Sequence, residues 1–112
     1  MDSTDMMQIL LMAELFKLLG DKTRLTIMAL LHAKSLCVRD LVEILQASQP
    51  SVSQHLAKLR MQGLVKETRK GPWVYYSVSN ECQPMMELIL EQLPDLKHVV
   101  ANAERDKVSV VY

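Results

Sequence analysis

A mainly α fold closed by a small β-hairpin is what this 112-residue chain predicts, on three observations. Apolar residues recur at helical spacing before Gly20, from Val38 to Gln46 and from Val52 onward. Gly63 follows the last of these as a stop, and two β-rich runs then bracket Gly71-Pro72. The length is close to the common domain size and no Pro-, Gly- or Ser-rich linker interrupts the chain, so residues 1–112 read as one domain.

The elements follow in order. A first helix over about 5–19 carries Ile9, Met12, Leu15, Phe16 and Leu19 at helical spacing, with Leu10 and Leu18 widening the stripe. Val38, Leu41, Ile44 and Leu45 define a helix over Val38–Gln46, which the Gln46-Ala47-Ser48 turn joins to the next. That next helix runs from Gln49 to about Gln62: Ser48 is its N-cap, Pro50 falls where a missing N–H costs nothing, and Gly63 supplies the left-handed stop. Two helices joined so tightly form a helix-turn-helix. Residues 64–70 and 73–78 then pair around Gly71-Pro72 as a hairpin wing. A last helix is expected over about 81–104, with Met85, Ile89, Leu93, Leu96 and Val100 as its stripe, although Pro94 breaks or kinks it. The tail from Lys107 to Tyr112 reads equally as a strand or a loose end.

The helix after the turn is two-faced. Val52, Leu56 and Leu59 point inward, leaving Gln49, Ser51, Ser53, Gln54 and Lys58 outward. Gln bonds adenine N6 and N7 as a pair, Ser fits base edges or a phosphate, and a helix N-terminus attracts phosphate, so this face suits the major groove of double-stranded DNA.

The charge distribution agrees. The chain is neutral overall, yet from Ser48 to Tyr76 five cations (Lys58, Arg60, Lys66, Arg69, Lys70) face the single acid Glu67, a net of +4. From Asn80 to Lys107 six acids face three bases, a net of −3. A local basic patch is what phosphate contact requires.

Both flanks are more apolar than free surface helices, since Met86, Leu88 and Leu90 add to the second stripe, and one small core does not easily hide them all. The reading is a homodimer packed through its terminal helices, which implies an inverted-repeat operator with half-sites about 34 Å apart. The longest uncharged apolar run, Met6 to Ala13, is far short of a membrane span, and acidic Asp2 and Asp5 replace the basic start of a secretory signal. The cytoplasm is the expected compartment, with no membrane partner.

The segment SLCVRDLVEILQASQPSVSQHLAKLRMQGLVKETRKGPWVYYSVS, with GDKTRLTIMALL from Gly20 to Leu31 before it, resembles the winged helix-turn-helix core of the ArsR/SmtB family of metal-responsive repressors. The likeness covers about Leu15 to Ser79. It implies base contacts from Gln49, Ser53 and Gln54, with Ser51 close by and Lys58 on phosphate, and wing contacts from Arg69 and Lys70. Trp73, Tyr75 and Tyr76 are read as covering a core or bracing the hairpin, and Trp73 as structural.

The family's sensor sites are altered here. Arsenic-responsive members carry Cys-Val-Cys-Asp-Leu-Cys before the recognition helix, where this chain has Cys37, Val38, Arg39, Asp40, Leu41 and Val42. The family's Asp/His zinc positions align with Asn80, Cys82 and the neighbourhoods of Leu93 and Leu96, and His32, His55 and His98 are too scattered for a metal motif. Cys37 and Cys82 remain, with three readings. They are inert small hydrophobes; or Cys37, beside Arg39 at a helix N-terminus, has a lowered pKa and senses oxidants or sulfur species with Cys82 as its resolving partner; or the two join a partner-subunit thiol around a metalloid or soft metal ion acting as inducer. No cofactor is otherwise expected.

No nucleophile-base-acid set, Gly-rich phosphate loop or paired carboxylates occur, so no enzyme is expected. The competing reading is a winged-helix module that binds a protein. The polar Gln49, Ser53 and Gln54 face favours DNA, because a protein-binding helix shows apolar anchors there.

Overall fold

The computed structural model describes the backbone of residues 1–110, and side chains through residue 104. In chain order the elements are α1 (Ser3–Leu19), α2 (Lys22–Ala33), β1 (Leu36–Cys37), α3 (Val38–Leu45), α4 (Gln49–Met61), β2 (Val65–Lys70), β3 (Trp73–Val78), α5 (Pro84–Gln92) and α6 (Lys97–Val110). The architecture is a winged helix: a helical body with a three-stranded antiparallel sheet in the order β1-β3-β2.

Side chains in sequence write most helix starts. Asp2 accepts the Asp5 N–H at 2.8 Å and Asp5 returns a bond to the Asp2 N–H, closing a capping box on α1. Asp21 caps α2 through the Arg24 N–H at 2.9 Å, and Ser48 caps α4 through the Ser51 N–H at 3.3 Å. The turn between α3 and α4 is made by Gln46, which is left-handed at φ 55° and whose amide also bonds the Glu43 carbonyl at 2.7 Å. Gly63, at φ 75°, ends α4 in the conformation that an L side chain adopts only under strain.

The wing register runs from Val65 opposite Val78 to Lys70 opposite Trp73, so Gly71 and Pro72 form a two-residue connection. Gly71 sits at φ 61° and proline fixes its own φ near −65°, the signs of a type II′ turn that matches strand twist. A short strand that sequence patterning missed, β1, adds to the other edge of β3, with Leu36 opposite Tyr76 and Cys37 opposite Tyr75.

The core collects α2, α3, α4 and the hairpin base. Ile27, Met28, Leu30, Leu41, Val52, Leu56, Leu59, Leu64 and Met86 are almost wholly excluded from solvent. Val52, Leu56 and Leu59 thus form the inward stripe that their spacing predicts.

Three expectations change. The stretch expected as one helix over 81–104 is two, because Leu93 is extended and Pro94 cannot continue α5. Its buried residues are Met86, Leu90 and Val100, so the inward stripe of α5 is offset by one residue from the spacing expected. The tail is helical through Val110, and Val111 and Tyr112 lie outside the described residues. Trp73, which directly follows the turn and pairs with Lys70, stands at the wing tip with 50% of its surface exposed.

α1 is buried only at its C-terminal end, through Leu15, Leu18 and Leu19. Met6, Met7, Ile9, Leu10, Leu11 and Phe16 are each about half exposed, as is Leu88 on α5. The radius of gyration, 15.5 Å, exceeds the roughly 13 Å of a compact chain this long. Among the described residues, no helix is long and apolar enough to cross a membrane.

This core yields an ordering of stabilities. Leu56→Ala should lower the unfolding free energy by about 2–5 kcal/mol, and Ser48→Ala, which removes only a cap, by about 0.5–2 kcal/mol. Urea denaturation checks it; a cap loss larger than the core loss would contradict the packing described.

Candidate nucleic-acid interface

The interface is built on α4. With Val52, Leu56 and Leu59 buried, the 3.6-residue repeat turns Gln49, Ser53, Gln54 and Lys58 to solvent, and all four are exposed. Ser51 is half-buried, and its backbone N–H is held by the Ser48 cap. Four of the five polar residues expected on this face are therefore open to a ligand and the fifth borders it.

The wing that follows α4 carries exposed cations. Lys66, Arg69 and Lys70 are exposed, and strand alternation puts Arg69 on the sheet face that carries Val65 and Glu67, and Lys66 and Lys70 on the other. Lys70 Nζ lies 5.6 Å from the centre of the Tyr75 ring, a cation-π contact on that second face. The two wing residues expected to touch DNA therefore leave the ribbon in opposite directions.

Two polar fastenings hold α4 against its neighbours, and sequence reasoning missed both. Arg24, on α2, donates from Nε to the Leu18 carbonyl at 2.6 Å and reaches His55 Nδ1 on α4 at 3.2 Å. A guanidinium only donates, so this bond requires the lone pair on His55 Nδ1. Asp21 lies 4.0 Å from the same guanidinium; the Arg24 backbone N–H holds its carboxyl below the ordinary value, and the Arg24 charge adds to this. At the far end of α4, Arg60 pairs with Glu67 of β2, and the Tyr76 hydroxyl of β3 donates to the same Glu67 Oε1 at 2.7 Å. Burial, and then the bond to Glu67, push the Tyr76 phenol up to about 12. The one signal available beforehand was that Glu67 is the sole acid in a basic segment.

The cysteines are free and half-buried. Cys37 is the residue before α3; the Asp40 carboxylate accepts both its backbone N–H and its S–H, each at 3.1 Å. The lowered pKa expected for Cys37 is not found. Burial raises it, the bond from its S–H to Asp40 adds to the rise, and Arg39 turns away to Glu43 at 3.6 Å. Cys82 donates to the Leu64 carbonyl at 3.5 Å and is also raised by burial.

The two thiols are not brought together. Cys37 lies on β1 beside Tyr75 and thus level with Thr68, whereas Cys82 meets Leu64 before β2, across β3 and four residues along. Strand spacing puts those positions more than about 10 Å apart, beyond the roughly 7 Å between Cα atoms that a disulfide spans. Among the described residues no three of His, Cys, Asp and Glu converge as metal ligands. One thiol with one carboxylate does not suit trivalent arsenic or cadmium, which need two or more thiolates.

Comparison with known proteins agrees with this geometry. Residues 21–67 match the family model for the bacterial regulatory protein, arsR family. The chain is 49% identical over 74 residues to the arsenical resistance operon repressor of Escherichia coli, an alignment covering 65% of this chain and 63% of that protein, less than two thirds of its length. It is 41% identical over 92 residues to the arsenic resistance transcriptional regulator ArsR1 of Pseudomonas putida, covering 80% of this chain and 71% of that one. Its fold matches the crystal structure of the transcriptional repressor PagR of Bacillus anthracis with a TM-score of 0.66 and 36% identity, over 79% of this chain and 98% of that one. The chain therefore belongs to the ArsR family of bacterial regulatory proteins, DNA-binding transcriptional regulators rather than enzymes.

Proposed function

We propose that this chain is a cytoplasmic homodimeric repressor that reads an inverted-repeat operator through Gln49, Ser53 and Gln54, with Ser51 at the edge of the contact and Lys58, Arg69 and Lys70 on phosphates. The observation that carries it is the exposed amide and hydroxyl face of α4 seated on a buried stripe beside a basic wing. Amides match adenine edges in pairs, and the cations supply sequence-independent attraction. Because Arg69 and Lys70 leave opposite faces of the wing, they suit the two sugar-phosphate walls of one groove.

The partner for α1 is a second copy of the chain. Its six half-exposed apolar side chains, from Met6 to Phe16, and the elongated shape of the protomer support a symmetric contact. A two-fold pair sets two α4 helices about 34 Å apart, the spacing of successive major grooves.

Relatives named for arsenic and cadmium resistance make a soft ion the natural inducer to consider. This chain's own donors support a different reading: among the described residues of one protomer no donor set converges to hold such an ion, and an inducer that acts through Cys37 does so slowly, because a raised pKa leaves little thiolate at neutral pH.

Four measurements follow. A duplex enriched from a random pool by the wild-type protein should lose about 1–3 kcal/mol of affinity in Gln54→Ala with the dimer intact, read by fluorescence anisotropy; unchanged affinity would remove Gln54 from the contact. Phe16→Asp should shift the sedimenting species from dimer to monomer and weaken binding to that duplex; a dimer of undiminished strength would place the interface elsewhere. Iodoacetamide should modify Cys37 more slowly at pH 7 than it does free cysteine, with the rate still climbing at pH values where that of free cysteine has levelled off, since the shift is upward. In the same protein, equimolar arsenite or cadmium should leave the duplex bound, and release that disappears in Cys37→Ser would overturn this reading.

A further inference from the structure

A carboxylate is out of place where Glu67 stands. It is the only acid between Ser48 and Tyr76, in a segment of net charge +4, where it subtracts from the field that attracts phosphate. Its surroundings explain its presence. Glu67 Oε1 takes a charge-assisted bond from Arg60, the penultimate residue of α4, and a 2.7 Å bond from the Tyr76 hydroxyl on β3. Tyr76 is itself directly opposite Glu67 in the β2-β3 register and also opposite Leu36 of β1. One oxygen thus ties the C-terminal end of the α4 helix to β2 and β3, and β3 carries β1 on its other edge.

The backbone between these elements provides little restraint of its own. α4 and β2 are joined by Gln62, Gly63 and Leu64, and Gly63 carries the left-handed turn with open space around its Cα. Leu64 and Val65 pin the base of the wing to the core, but every residue from Lys66 to Trp73 is exposed. Beyond Val65 no residue of β2 is buried, and the apolar packing of the hairpin is left to Tyr76 and Val78 of β3, which lie partly buried against the core. The Arg60-Glu67-Tyr76 contact is the polar tie at that point.

We propose that Glu67 is a positioning residue that fixes the angle between α4 and the wing, trading general attraction to DNA for discrimination between sequences. This deepens the DNA-binding reading above and rests on it. Discrimination requires that base-edge contacts from α4 and phosphate contacts from the wing form together; a wing free to swing still finds phosphates on any duplex but loses register with the helix.

The charge and positioning roles separate by mutation. Glu67→Gln removes the charge and weakens the tie; Tyr76→Phe removes only a hydroxyl and leaves the net charge unchanged. Affinities are measured by anisotropy for the duplex enriched by the wild-type protein and for a scrambled duplex of the same composition, with melting temperature recorded alongside. Expected for Tyr76→Phe is a fall in the ratio of the two affinities by roughly five- to thirtyfold, with scrambled binding unchanged, as for the loss of one or two kcal/mol of aligned contact. Expected for Glu67→Gln is a similar fall in the ratio with scrambled binding strengthened.

A spectroscopic readout accompanies these. The phenol lost in Tyr76→Phe, seen by subtracting ultraviolet pH titrations, should ionise at about 12 in the wild type and lower in Glu67→Gln. Because the folded pKa lies above the ordinary value of 10, the stability tied to this phenol is complete below pH 10 and is lost as pH rises through about 12. If Glu67→Gln strengthens both duplexes equally and Tyr76→Phe changes neither affinity, Glu67 is only a surface charge and the proposal is overturned. If the wild-type protein enriches no sequence and binds neither duplex, the DNA-binding reading falls first and takes this one with it.

Discussion

Burial of Val52, Leu56 and Leu59 beneath α4 is the constraint on which the rest of the molecule depends. Each such side chain contributes about 1.5–3 kcal/mol on leaving water, so the helix is held chiefly from its inner face. The outer face then carries no duty in folding. Gln49, Ser53, Gln54 and Lys58 are free to be chosen for what they touch, and a family of regulators can alter its targets there without altering its core.

Apolar burial fixes where α4 lies but constrains its angle to neighbouring elements less well, and the polar contacts at its middle and at its C-terminal end complete the placement. Arg24 meets the last turn of α1 at the Leu18 carbonyl, the cap of α2 at Asp21 and the middle of α4 at His55, so the helix with the exposed apolar face and the helix with the exposed polar face share one side chain. Arg60, Glu67 and Tyr76 do the same between α4 and the wing. Both ties are partly exposed, which keeps their individual energies modest; their value lies in direction.

Much of this was legible in the sequence, for reasons that can be named. The helix-turn-helix was legible because Ser48, Pro50 and Gly63 each have one strong local preference and the apolar spacing agrees with all three. The wing was legible from Gly71-Pro72 between β-rich runs. The two-residue strand β1 was not, since it exists only by pairing with β3, and neither was the offset of the α5 stripe, since a continuous apolar run gives several helical phases equal standing. Gln46 in a left-handed turn had no glycine to announce it. The Cys37 pKa was misjudged in direction because sequence adjacency to Arg39 suggested a cationic neighbour, whereas the folded helix turns Arg39 to Glu43 and presents Asp40 to the thiol. Side-chain ties such as Arg24 to His55 join residues 31 apart and follow no local pattern.

The central claim is that the exposed α4 face and the wing bind duplex DNA through phosphates as well as bases. Its most direct test is the salt dependence of affinity for a duplex, measured by anisotropy at several potassium chloride concentrations. Of the five cations between Ser48 and Tyr76, Arg60 is committed to Glu67, which leaves four for phosphate. The account predicts a slope of log K against log salt of about −4 for each protomer engaged. A slope near zero, with binding retained, would mean that the surface meets a partner through apolar contact and that the helix-and-wing account of DNA recognition is wrong.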